Sequence, residues 1–213
     1  RRRIDLSRAY KMCDLPIKTC VTAIAAHESE LEDKRDYLSA APVLTDDDRA
    51  QSDKPDDGGE TARLRGTAFH RAMELIDFNN PDLNTVKDRC DNFELISGEQ
   101  VLRAAQAMRE LTRGAAFVAK ERYFIYDACA SELYGDGYAG ESVLVQGVID
   151  LLIGYPDGTA VIVDYKTGDP KHLINAGYKT QLRLYSAAVE RAAPLRVKRA
   201  CLYSFASGEL IDL

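Results

Sequence analysis

The stretch Val145-Gln146-Gly147-Val148-Ile149-Asp150-Leu151-Leu152, followed by Ala160-Val161-Ile162-Val163-Asp164-Tyr165-Lys166, decides the reading of this chain. Each half is an apolar run that ends on or encloses an acidic residue. Tyr155-Pro156-Asp157-Gly158 lies between them, and that composition favours a tight turn. The two runs are therefore expected as neighbouring strands, Ser142 to Ile153 and Thr159 to Lys166, folded back as a hairpin that brings Asp150 alongside Asp164. Alternate residues of a strand share a face, so Asp164 and Lys166 point the same way. Two carboxylates about 4 Å apart repel by roughly 4 kcal/mol at an effective dielectric near 20. A positive group must offset that, and the candidates are Lys166 and a hard divalent cation such as Mg²⁺, which favours oxygen ligands. A metal beside a positioned lysine is equipment for phosphodiester attack. A surface hairpin with ordinary charges is the bland alternative.

Working outward, helical spacing returns after Gly177, where Gln181 and Tyr185 stand four residues apart on one face. Tyr178 to Arg191 is expected as an amphipathic helix. Lys198 to Phe205 and Glu209 to Leu213 are expected to close the chain as a hairpin around Ser207-Gly208. Upstream, Thr61 to Phe78 is expected as a helix that offers Ala62, Phe69, Met73 and Ile76 for burial and opens through Gly66-Thr67-Ala68-Phe69-His70. Val21 to Ser39, Val86 to Leu95 and Gly98 to Leu111 also show helical spacing, and Ala115 to Lys120 is expected as a short helix. Tyr123 to Tyr126 is β-prone, and Ser131 to Glu141 is expected as a loop. Helices first and strands later make the fold class α+β.

The ordered set Gly66…His70, Gly147-Val148-Ile149-Asp150, Asp164-Tyr165-Lys166 and Gln181-Leu182-Arg183-Leu184-Tyr185 resembles the RecB-type PD-(D/E)XK nuclease domain, the AddA-type helicase–nuclease members above all. Leu15 to Thr22 also resembles the opening segment of that domain, with Cys20 where Ser is usual. The resemblance runs from about Leu15 to the end. It implies a restriction-endonuclease-like core, a small mixed sheet flanked by helices, with the helical first half as an extra layer.

It also implies roles. Asp150 and Asp164 match the family's metal-binding carboxylates, and the backbone carbonyl of Tyr165 matches a further ligand. His70 matches the ligand histidine, although imidazole is a less usual partner for Mg²⁺ than for Mn²⁺. Glu121 looks like the acidic residue before the first core strand, against the plain reading of a surface carboxylate paired with Arg122. Lys166 is expected beside the attacking water. Gln181, Tyr185 and, with them, Tyr178 match the element that lines the DNA cleft or holds the lysine. The activity implied is Mg²⁺-dependent DNA hydrolysis, with Mn²⁺ able to substitute. It would act exonucleolytically on a single-stranded end in double-strand-break repair and recombination. Implied partners are an AddB-like protein and helicase domains of the same chain. A catalytically inactive DNA-binding or docking module is the alternative, and a stand-alone phage-type exonuclease a third.

The chain has 213 residues, enough for a sizeable core, and begins with Arg, which suggests a piece of a longer protein. We expect an arm and helix over 1–43, an acidic linker over 44–60 and the nuclease domain over 61–213. Five scattered cysteines (Cys13, Cys20, Cys90, Cys129 and Cys201) form no CxxC pair. They suggest buried thiols in a reducing, cytoplasmic setting, without an iron–sulfur cluster. No apolar run approaches a membrane span. No Gly-x-x-x-x-Gly-Lys-Ser/Thr loop occurs, so ATP is not bound by that route. The net charge of −6 is unusual for a nucleic-acid enzyme, but it is uneven. Asp46, Asp47, Asp48, Asp53, Asp56, Asp57 and Glu60 cluster in the linker, whereas the chain from Asp164 onward is locally basic.

Overall fold

The computed structural model describes residues 15–28 and 57–213. The acidic segment expected as a linker therefore lies mostly outside the described residues, as do Cys13 and most of the expected arm.

A mixed sheet forms the centre. Strand β1 (Lys18–Cys20) leads into a helical segment over residues 21–28. Helices α1 (Asp57–Leu75), α2 (Leu83–Lys87) and α3 (Gly98–Leu111) come next. Then come β2 (Phe117–Cys129), the short α4 (Ala130–Tyr134), β3 (Ser142–Gly154), β4 (Thr159–Lys166), α5 (Pro170–Leu173), α6 (Ala176–Ala192), β5 (Arg196–Ser204) and β6 (Glu209–Asp212). The strand order is β1-β3-β4-β5-β6, with β2 on β3. Among the described residues no helix is long and apolar enough to cross a membrane.

The expected hairpin forms: Leu151 pairs with Val163 and Gly154 with Ala160, antiparallel. The closing hairpin also forms, Cys201 opposite Asp212 and Ser204 opposite Glu209. Several expectations need correction. Helix α1 begins at Asp57, so Gly66 to His70 lies inside it rather than opening it, and Ala62 is exposed. The helix expected over Val86 to Leu95 splits into α2 and a 3-10 turn at Phe93–Leu95. Ala115 to Lys120 is not helical. Its last four residues begin β2, where Phe117 pairs with Gly154 and Lys120 with Leu151. A long cross-strand partner overrides the helical preference of an alanine-rich stretch. The expected loop at Ser131 to Glu141 carries most of α4.

The sheet has two packed faces. Phe69 and Met73 of α1, Ile76 just after it, and Val101 and Met108 of α3 bury one face against Leu151, Val163, Tyr165 and Tyr203. Leu182, Tyr185 and Val189 of α6, with Val21 and Ile24, bury the other against Ile149, Leu152, Ile162 and Leu202. At Gly147 a Cβ would stand 2.8 Å from the Phe124 ring and 3.2 Å from Val21, so glycine permits the close seating of residues 21–28 on the sheet.

Two features of β3 shape the end of the sheet near Asp150. First, β2 occupies one edge along its length, while β1 takes Leu144 to Gln146 and β4 takes Leu151 to Gly154 of the other. Gly147 to Asp150 thus form a fork, with no strand partner on that edge among the described residues. Second, the pleat resets at Asp150. Ile149 packs on the α6 side, yet Leu151 packs on the α1 side. Residues two apart in a regular strand would share a face. The reset lies across from Glu121, whose backbone is left-handed at φ 47°. That region is a rare conformation for a residue with a Cβ.

Candidate metal centre

The fork and the reset bring both helical layers to one point. Because the strands turn over at Asp150 and Glu121, a residue of α1 and the carboxylates of β2 and β3 meet at the same end of the sheet. His70 Nδ1 lies 3.4 Å from Asp150 Oδ1 and 3.8 Å from Glu121 Oε1. One ligand atom from each of His70, Glu121 and Asp150 falls within 4.8 Å of the others.

Asp150 is held rigidly. Its Oδ2 accepts the Tyr165 backbone N–H at 2.7 Å, so a carboxylate takes a donor that the splayed strand cannot give to a ladder. Glu121 Oε1 is buried with no hydrogen-bond partner. An unsatisfied carboxylate oxygen aimed into an acidic cluster is costly and fits a cation ligand. One imidazole nitrogen and two carboxylates form a donor set suited to Mn²⁺ or Mg²⁺. The residues present therefore fit a divalent cation.

The electrostatics reflect burial and charge. Burial would lower the His70 imidazole, but Asp150 and Glu121 outweigh it and raise His70 to about 10. Burial and the charge of Asp150 push Asp164 above the ordinary carboxylate range, with Lys166 opposing them. Lys166 Nζ lies 2.6 Å from Asp164 Oδ2, and both side chains are largely buried. Burial would lower Lys166, yet the Asp164 charge raises it.

Asp164 thus sits beside the three-residue cluster, turned to Lys166, rather than as a member of the tightest ligand group. Glu121 lies inside β2, not before it, and faces His70 rather than Arg122. Gln181 Nε2 donates to Tyr185 Oη at 2.9 Å, and both residues are buried. Burial, with the charges of Asp164 and Asp150, holds the Tyr185 hydroxyl well above its usual range, so this tyrosine backs the acidic centre. Tyr178 is half-buried, its ring centroid 5.0 Å from Lys166 Nζ. A cavity of ≈ 350 Å³ opens there, lined by Thr22, Ala25, Lys166, Asn175, Tyr178 and Gln181. A larger apolar groove of ≈ 530 Å³ between β2 and α6 holds none of the acidic residues. Gly66 stands one turn before His70, and a Cβ there would meet nothing within 4 Å. His27 and His172 are exposed. Among the described cysteines Cys90 and Cys201 are buried, whereas Cys20 and Cys129 are only half-buried, so of these four the expectation of buried thiols holds for the first pair.

The PD-(D/E)XK nuclease superfamily matches residues 43–210 of this chain. The chain belongs to that superfamily. Its mixed sheet with flanking helices is the PD-(D/E)XK fold, and the acidic centre lies on that core. Among curated relatives, the A subunit of the ATP-dependent helicase/nuclease of Bacillus thuringiensis (strain Al Hakam) is 32% identical over 181 residues, covering 73% of this chain and 14% of that protein. The protein of the same name from Bacillus cereus (strain AH187) is 33% identical over the same coverage. These are the AddA-type proteins whose nuclease domain the sequence resembles. The chain spans about 14% of the length of these relatives. A solved structure, "Crystal structure of SSO0001", aligns over 97% of this chain and 71% of its own, with a TM-score of 0.39 and 12% identity.

Proposed function

We propose that this PD-(D/E)XK domain is a divalent-metal-dependent deoxyribonuclease that hydrolyses phosphodiester bonds. The observation that carries this reading is the meeting of His70, Glu121 and Asp150 within 4.8 Å, with the Lys166–Asp164 pair alongside. His70, Glu121 and Asp150 hold the cation, and Asp164 and the Tyr165 carbonyl are further candidate ligands. When bound, the cation supplies positive charge to the phosphoryl oxygen and acidifies a water. Lys166, the ammonium beside the acidic centre, orients the attacking water and stabilises charge that builds on the phosphate. Asp164 fixes the lysine amine in place. Tyr185 and Gln181 buttress that pair from α6. Tyr178, the least buried of the three family-matched α6 residues, faces the DNA backbone.

The names of the relatives, which join a helicase to a nuclease, support a finer reading. The substrate is a single-stranded DNA end delivered by helicase domains of a longer chain, cut exonucleolytically in break repair and recombination, with an AddB-like protein as partner. End-labelled single- and double-stranded DNA incubated with the chain and Mg²⁺ or Mn²⁺ tests both levels. Loss of label as short products from the single strand, abolished by EDTA, is the expected result. Cutting that persists in EDTA, or no cutting with either metal, overturns the nuclease reading and leaves a binding module.

The raised His70 gives a second expected result. At pH 7.5 the imidazole is protonated in the metal-free protein, and an imidazolium has no lone pair to offer. Mn²⁺ binding should therefore release close to one proton, and affinity should climb as pH rises towards 10. Titration calorimetry in two buffers of unlike ionisation enthalpy measures this directly. An apparent enthalpy independent of buffer would remove His70 from the ligand set.

A further inference from the structure

Lys120 stands next to Glu121 on β2, reaches the same helix as Glu121 does, and does something no charged strand residue need do. Its ammonium donates to the Met73 carbonyl at 2.9 Å, approaches the Glu74 carbonyl at 3.4 Å, and also bonds the Ile76 carbonyl. Its Nζ lies 3.8 Å from the centroid of the Phe78 ring. An ammonium has three N–H donors, and here each meets a carbonyl. Those carbonyls belong to the end of α1, where the last helical C=O groups have no intrahelical donor and the macrodipole is negative. A strand lysine therefore supplies the cap that this helix end lacks in its own sequence, where the last turn contains no basic residue.

The consequence reaches the site because of the order of residues. His70 sits one turn before Met73 on α1, and Glu121 comes directly after Lys120 on β2. Two consecutive strand residues thus meet one helix about a turn apart, Lys120 at its end and Glu121 at His70. The left-handed backbone at Glu121 is what lets its neighbours diverge. Lys120 reaches α1, while Arg122 lines the groove against α6 on the opposite face. Take the lysine away, and β2 loses its hydrogen bonds to the end of α1 beside the His70–Glu121 approach of 3.8 Å, leaving the apolar packing of α1 on the sheet to hold it.

We propose that Lys120 is a positioning residue. By clamping the end of α1 to β2 it sets the register that brings the His70 imidazole to Glu121 and Asp150, and so sets cation affinity without touching cation or substrate. The inference rests on the proposed metal reading. The test is Mn²⁺ binding by titration calorimetry on the 213-residue chain, well below each variant's melting temperature. The variants are Lys120→Met, which keeps the stem and loses the donors, Lys120→Arg, which keeps donors and charge, and Met108→Ala, a core change in α3. Lys120→Met should weaken Mn²⁺ binding at least tenfold, with Lys120→Arg within about threefold of the native chain. Met108→Ala should lower the melting temperature with Mn²⁺ affinity unchanged. At saturating Mn²⁺, KM for DNA should be the same in Lys120→Met as in the native chain. Should Lys120→Met not fold, Lys120→Gln is judged by the same tenfold criterion. Native affinity in the donor-less variant overturns the proposal, as does an equal loss in Met108→Ala. A native chain that takes up no Mn²⁺ overturns the metal reading first, and the native titration alone reveals that case.

Discussion

Replacing Asp150 with asparagine should abolish detectable Mn²⁺ binding and DNA cutting together while the domain stays folded. Asp150 is the hub of the centre. One oxygen faces His70 Nδ1 at 3.4 Å and the other accepts the Tyr165 N–H at 2.7 Å. Asparagine keeps the size and one acceptor, so the bond to Tyr165 survives and the fold with it. It loses the charge that offsets a divalent ion and that, after burial, acts most strongly on His70. A metal ligand lost from a site of three costs more than the 10–100-fold typical of an outer partner. The variant also has a signature in the metal-free state. The unfolded imidazole titrates near 6.5 and the folded one near 10, a raised value. Stability from the charged imidazole is therefore fully present below about pH 6.5 and is lost as pH climbs through 10. Removing Asp150 takes away the first of the interactions that raise the value, so the melting temperature should fall less steeply with pH across that window. Melting curves of both proteins in EDTA between pH 6 and 10 would show it. Native-like Mn²⁺ affinity in the variant would dismantle the proposed centre.

The hairpin is legible in the sequence because its information is local. Two apolar runs, a Tyr-Pro-Asp-Gly turn and strand periodicity fix β3 and β4, and the observed register from Leu151–Val163 to Gly154–Ala160 agrees with them. His70 can be singled out only through the resemblance, since a lone helix histidine has no distinguishing pattern of its own. Glu121 shows the limit. Its approach to His70 depends on a left-handed φ of 47° and on a pleat reset shared by two strands, and neither has a sequence signal when the residue is not glycine. For the same reason Ala115 to Lys120 reads as helical, since the pairing of Phe117 with Gly154 is a long-range choice. Lys120 is invisible as a cap because its partners are backbone carbonyls more than forty positions upstream. Asp164 is legible as a member of the centre and as a same-face neighbour of Lys166, but its preference for the lysine over the three-residue cluster is seen only in the packed fold.

That preference sets up the complementary result. Lys166→Met should cut DNA at least 10²–10³-fold more slowly, the usual cost of one positioned electrostatic donor, while Mn²⁺ affinity changes little. The ligand atoms of His70, Glu121 and Asp150 lie within 4.8 Å of one another without the lysine, so the cation does not need it. Methionine preserves the unbranched stem against Tyr178. What it removes is the ammonium 2.6 Å from Asp164, the principal group opposing burial and the Asp150 charge. In the metal-free protein Asp164 then climbs further above the usual carboxylate range, which spares the fold an isolated buried charge. The reverse change is harsher. Alanine at Asp164 strands an ammonium in the interior, a loss on the order of 3–5 kcal/mol, so that variant probes folding as well as chemistry. Asp150→Asn and Lys166→Met together separate holding the ion from using it: the first loses binding and cutting, the second cutting alone. Single-turnover cleavage at saturating Mn²⁺, set beside calorimetry on the same samples, makes the distinction. A methionine variant that retained more than about a tenth of native cutting would show that the amine is a structural partner of Asp164 and no part of the chemistry.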